Sequence, residues 1–181
     1  MWLRTLVAFS LLLGATAGDA SKVNEVIVQI KEGLSSQEPV RFEVAEADLN
    51  AWVSVVVQSQ PRLGVSGTTI WLVGQDRVRA RALVDMDQVQ LEGLSVQLFR
   101  TVFQGTQELV LEGTLSCRDG RGRYATESAQ LNGVTVPAWL VDQIIAYLGR
   151  QHGGVDVTEF FDLPYGIRAV QIEPRRLIIL R

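Results

Sequence analysis

The chain holds one cysteine and one histidine in 181 residues. A lone Cys117 cannot close an intramolecular disulfide, so the fold must stand on packing, and the thiol reads as a small buried residue on a strand. One cysteine and one histidine are too few to build a zinc or transition-metal centre of that kind, and nothing calls for a cofactor. The chain has no P-loop, no G-x-S-x-G elbow and no H-E-x-x-H pair. His152 has no nucleophile motif beside it and suits the negative end of a helix better than a catalytic role. Basic residues are not in excess: 17 Lys and Arg against 20 Asp and Glu give a net charge of −3. That balance lacks the footprint of a nucleic-acid binder. No apolar run reaches the roughly 20 residues that span a bilayer. There is no repeat, low-complexity tract or linker, so one domain is expected.

What is present begins at the N-terminus. Arg4 precedes an apolar run over 6–13, and Ala15-Thr16-Ala17 is an A-x-A cleavage site. This is the pattern of a cleavable signal peptide over 1–17, leaving a single domain over 18–181. No cysteine follows the site to take a lipid anchor. The expectation is an exported protein, periplasmic or extracellular, with no transmembrane anchor after cleavage.

Periodicity then sorts the rest. Val23, Val26, Ile27, Ile30 and Leu34 recur at helical spacing behind Ser21, a candidate cap. Residues 40–44 alternate as a strand. A helix over 46–60 carries Leu49, Trp52, Val53, Val56 and Val57 on one stripe and closes at Pro61. Beyond it the period falls to two. Strands are expected over 65–73 and 77–87, the second with Val78, Ala80, Ala82, Val84 and Met86 on one face. A further strand is expected over 94–103, and a hairpin over 108–131 turns at Arg118-Asp119-Gly120. Pro137 opens a helix to about 151, with Leu140, Ile144, Ile145, Tyr147 and Leu148 near its inner side. Two strands, 167–173 and 177–180, close the chain. The order predicts α+β: a long antiparallel sheet packed against two or three amphipathic helices.

Three groups of residues carry candidate chemistry. Asp85 with Asp87, and Asp156 with Glu159 and Asp162, are the carboxylate sets that a hydrolase or a calcium site would need. Neither has the loop spacing of a calcium motif, and both read as solvated charge. Arg77, Arg79 and Arg81 share one strand face; cross-strand acids would neutralise them, and an anionic head group is the sharper alternative. Finally, strands 65–73 and 94–103 are apolar on both faces, so they are covered on both sides, packed under the helices, or one face lines an apolar tunnel.

Several stretches together resemble bacterial LmeA-like phospholipid-binding proteins of the wider tubular lipid-binding (TULIP) group. They are Phe42 to Trp52, with its strand and acidic-x-x-Leu-Asn helix start; Asn132-Gly133-Val134-Thr135-Val136-Pro137; and Leu163-Pro164-Tyr165-Gly166-Ile167 with the strands after it. The resemblance covers about residues 40–181. It implies a curved sheet wrapped on a helix with acyl chains between them, and lipid binding without a chemical step. On that reading Trp52, Val53, Val56 and Val57 supply one lipid-contact wall, and Ile144, Ile145 and Leu148 another. The polar stretch 118–127 and the short valine-rich helix depart from the pattern. Two other functions stay open on the residues alone: an adaptor domain that meets an envelope protein partner through its apolar surface, and an enzyme built on the carboxylates.

Overall fold

The computed structural model describes residues 20–33, 39–59, 64–88, 103–151 and 157–181, and the side chains of 144 and 147–151 fall outside that description. The expectations for the leader 1–17, the strand residues 94–102, His152 and Asp156 therefore lie outside the described residues.

The alternating segments pair into one antiparallel sheet of nine strands among the described residues. They are β1 (Arg41–Ala45), β2 (Val65–Gly74), β3 (Arg77–Asp85), β4 (Thr106–Arg118), β5 (Arg121–Leu131), β6 (Val134–Thr135), β7 (Phe161–Asp162), β8 (Ala169–Glu173) and β9 (Arg176–Leu180). Three helices pack against it: α1 (Ser21–Glu32), α2 (Glu46–Gln58) and α3 (Ala138–Gln151). The class is α+β, a curved antiparallel sheet covered by helices. Strand order runs β1-β9-β8-β4-β3-β2, while β5 takes the other edge of β4 and carries β6 and β7. Register shifts between Ser66 and Thr69, Leu72 and Gly74, and Glu112 and Gly113 bend the long strands.

Local chemistry moves a few boundaries. Ala20, with no capping side chain, precedes α1 in place of Ser21. Strand β3 stops at Asp85 because its carboxylate accepts the Asp87 N–H at 3.1 Å and turns the chain. Phe103, expected to end a strand, sits in a bend and packs on the core beneath α3. Strands β6 and β7, two residues each, are too short to carry a period.

β3 and β8 share one edge of β4, end to end: β3 pairs with Thr106 to Thr114, and β8 takes over at Cys117. Asp76, in the β2–β3 turn at φ 59°, stitches the junction. Its N–H donates to the Ile172 carbonyl (3.2 Å), its carbonyl accepts the Leu115 N–H (2.8 Å), and its carboxylate accepts the Ile172 N–H (3.0 Å). Pro174 of the β8–β9 turn lies so close to Gly74 that a Cβ there would stand 2.9 Å from its ring.

The inner face carries two cores. One gathers Val23, Ile30, Val44, Trp52, Val53 and Val56 with Cys117, Val170 and Ile179 beneath α1 and α2. The other gathers Val84, Met86, Leu109 and Leu131 beneath Leu140 and Val141 of α3. At α3 the Thr126 hydroxyl donates to the Asp142 carboxylate at 2.6 Å.

Candidate functional site

An edge strand exposes unpaired backbone groups that something must satisfy. Among the described residues β2 ends the sheet, and the partner there is α2. Asn50 donates its side-chain amide to the Ile70 carbonyl (2.7 Å) and accepts the Ile70 N–H on Oδ1 (2.7 Å). The same amide donates to the Glu46 carbonyl one turn back (3.0 Å). The Glu46 carboxylate accepts the Leu72 N–H at 2.6 Å. The two polar residues of the Glu46-x-x-Leu49-Asn50 segment thus clip the helix to the sheet edge. Trp52 reaches the other way, its indole N–H donating to Asn24 of α1 at 3.1 Å.

This clipped geometry leaves an apolar cavity of about 320 Å³ between α1, α2 and the inner face of the sheet. Helix α1 contributes Val23, Val26 and Ile27, and α2 contributes Leu49 and Trp52. The floor is formed by Ile70, Leu72 and Val78 of the β2–β3 hairpin, Leu115 and Cys117 of β4, and Val170 and Ile172 of β8. The segment from Phe161 to Pro164 closes one side. Its size falls at the lower end of small-molecule sites.

Two titratable groups of the wall, Cys117 and Tyr124, are held neutral, while the third, Asp162, is exposed at its margin. Burial, with the Asp76 carboxylate second, pushes the Cys117 thiol up to about 11. Burial likewise raises the Tyr124 phenol, with Asp142, Glu127 and Glu112 adding to the rise and Thr126 opposing it. At neutral pH the wall therefore presents a thiol and a phenol, and neither bears charge.

Of the sequence-derived wall residues, Trp52 lines this cavity. Val53 and Val56 are buried in the surrounding core. Val57 packs against that core and also borders a separate, more polar surface pocket of about 410 Å³ with Ser54, Gly64 and Asp85. Ile145 packs on the α3 core. The side chains of Ile144 and Leu148 lie outside the described residues. The cavity residues that sequence reasoning did not single out as lipid contacts include those of α1, Leu49 of α2, the sheet floor and the Phe161 to Pro164 wall. Their apolar periodicity was visible, but which face would stay unfilled was not.

The arginine ridge meets acids across the ladder. Arg77 pairs with Glu112 and, at 3.1 Å, with Glu127. Arg81 donates to Glu108 at 2.7 Å. Arg79 stands 5.7 Å over the Trp71 ring. Asp85 is engaged by the turn after β3, where the Gln88 side chain also donates to it (2.7 Å), while Asp87 is exposed. Glu159 and Asp162 are exposed, and Asp162 stands opposite Arg121 in the β5–β7 ladder.

Compared with protein-family models, curated proteins and solved structures, the chain has no match. No helix among the described residues is long and apolar enough to cross a membrane.

Proposed function

We propose that this is an exported lipid-handling protein that holds an acyl chain, or a ligand of similar apolar shape, beneath α1 and α2 without a chemical step. The observation that carries the reading is the cavity, whose walls are aliphatic and aromatic apart from an uncharged thiol and phenol and the edge residue Asp162. A methylene takes roughly the volume of a liquid water, about 30 Å³, so the space suits on the order of ten of them. Each buried methylene contributes about 0.8 kcal/mol before the costs of ordering the ligand.

The signal-peptide pattern over 1–17 and the likeness to LmeA-like proteins support the same reading. A protein met outside the cytoplasm, with a largely apolar wall around an open space, is suited to carrying an apolar molecule through water. Native mass spectrometry and solvent extraction of the purified protein test this. The expected result is a co-purified lipid, with a melting temperature that rises on adding phospholipid. No lipid and no thermal shift would overturn it.

A further inference from the structure

Phe160 stands just ahead of the cavity wall, and the cavity does not explain it. Phe160 is 62% exposed, the most exposed large apolar side chain among the described residues. The Arg121 and Arg123 guanidiniums stand over its ring at 5.1 and 5.5 Å. Its neighbour Phe161 is buried and lines the cavity, the far end of its ring lying over Gly122, where a Cβ would stand 2.5 Å from it. At the entry to β7 the chain thus sets Phe161 inward as cavity wall and leaves the preceding Phe160 outward as a surface knob.

The charge around that knob is arranged unlike the rest of the sheet. Across the β4–β5 ladder Arg121 faces Arg118 and Arg123 faces Ser116, whereas Arg77 and Arg81 find glutamates. Like charges opposed on one face cost stability unless something external answers them. Acids adjoin them in sequence and register: Asp119 in the hairpin turn, Glu159 beside Phe160, and Asp162 opposite Arg121. Among the described residues none of them forms an ion pair with Arg118, Arg121 or Arg123, and Arg123 also donates to the Thr158 carbonyl at 3.2 Å. Three arginines on one hairpin face and a projecting aromatic ring match a bilayer surface: phosphates for the guanidinium forks, and the headgroup–acyl boundary for the ring.

We infer that Phe160 with Arg118, Arg121 and Arg123 is a docking surface for an anionic lipid bilayer, set on the back of the strand whose inner face walls the cavity. The inference deepens the lipid-handling reading and rests on it for its purpose, because docking brings the 157–164 wall of the cavity to the membrane.

Flotation of the full chain with vesicles of phosphatidylcholine alone, or of phosphatidylcholine with phosphatidylglycerol, tests it. Any apolar N-terminal segment is common to all variants, so their differences isolate the patch. The wild type is expected to favour the anionic vesicles and to lose that preference as salt rises. Arg121→Gln with Arg123→Gln should weaken binding by roughly fivefold per arginine removed, Phe160→Ser should weaken it as well, and Arg79→Gln should leave it unchanged. Circular dichroism keeps misfolded variants out of the comparison, and Phe160→Tyr, which keeps the ring, should retain binding. Equal binding to both vesicle types, no loss in the folded variants, or tighter binding to an RNA oligonucleotide would overturn the docking surface. Lipid carried in the cavity, read by native mass spectrometry, separates the two claims. Cargo without docking overturns this inference alone, and docking without cargo overturns the cavity reading alone.

Discussion

Replacing Asn50 with alanine should cost about 2–3 kcal/mol of stability. The side chain makes three hydrogen bonds, two to Ile70 and one to Glu46, and a protein hydrogen bond contributes about 1 kcal/mol net. Two of the groups left behind belong to an edge strand beneath a helix, where water reaches them poorly. For a chain of this length the loss corresponds to roughly 5–10 °C in melting temperature. Urea denaturation measures it through the midpoint at unchanged slope. Asn50→Asp sharpens the test: it retains an acceptor for the Ile70 N–H but sets a carboxylate against the Ile70 and Glu46 carbonyls. That variant should be at least as unstable at pH 7, and should recover towards wild type, compared at equal pH, as acid protonates the new carboxyl into a donor. A loss under about 0.5 kcal/mol for Asn50→Ala would refute the edge-clip reasoning, because solvent would then satisfy β2 unaided.

Two other outcomes follow from the same geometry. Cys117 has a pKa raised from 9.0 to about 11, so the folded state holds its proton where the unfolded chain gives it up. Stability from this group is complete below about pH 9 and falls as pH climbs towards 11, with Tyr124 acting in the same direction; denaturation midpoints across that range check it, and Cys117→Ser should flatten the Cys117 share. Gly113→Ala should destabilise by about 3 kcal/mol, because its Cβ would press on the Ala125 carbonyl oxygen and stand 2.6 Å from the Tyr124 hydroxyl; Tyr124→Phe should recover little of the loss in a double-mutant cycle, since the backbone contact and the ring carbon at 2.7 Å remain.

Much of the fold was legible because period and burial agree. Val78, Ala80, Ala82 and Val84 alternate with arginines, and the structure turns the first set under the helices and pairs Arg77 and Arg81 with glutamates. Trp52 and Val53 lay on a readable helical stripe and are buried together. The fine structure of the site was not legible. Nothing near Asn50 says that its partner is Ile70, twenty residues on, since that bond exists only after β2 becomes an edge. Asp76 reads as a turn residue, and its grip on Leu115 and Ile172 appears only once β3 and β8 meet along β4. Ile145 and Trp52, both on apolar helix faces, settle into separate cores because the sheet is long enough to be covered twice.

By itself, then, the sequence determined the α+β class, the three helices and the long strands with the buried side of β3, and the lack of residues for a His–Cys metal centre. These follow from side-chain spacing and composition, which are local properties. Only the tertiary structure decided that α1 and α2 stand off the sheet around an unfilled apolar space, and that Phe161 walls it while Phe160 faces out between arginines. A cavity is a mismatch between surfaces distant in the chain. No local pattern specifies it until the Asn50 contacts fix helix to sheet edge and the Asp76 contacts join the strands of the floor.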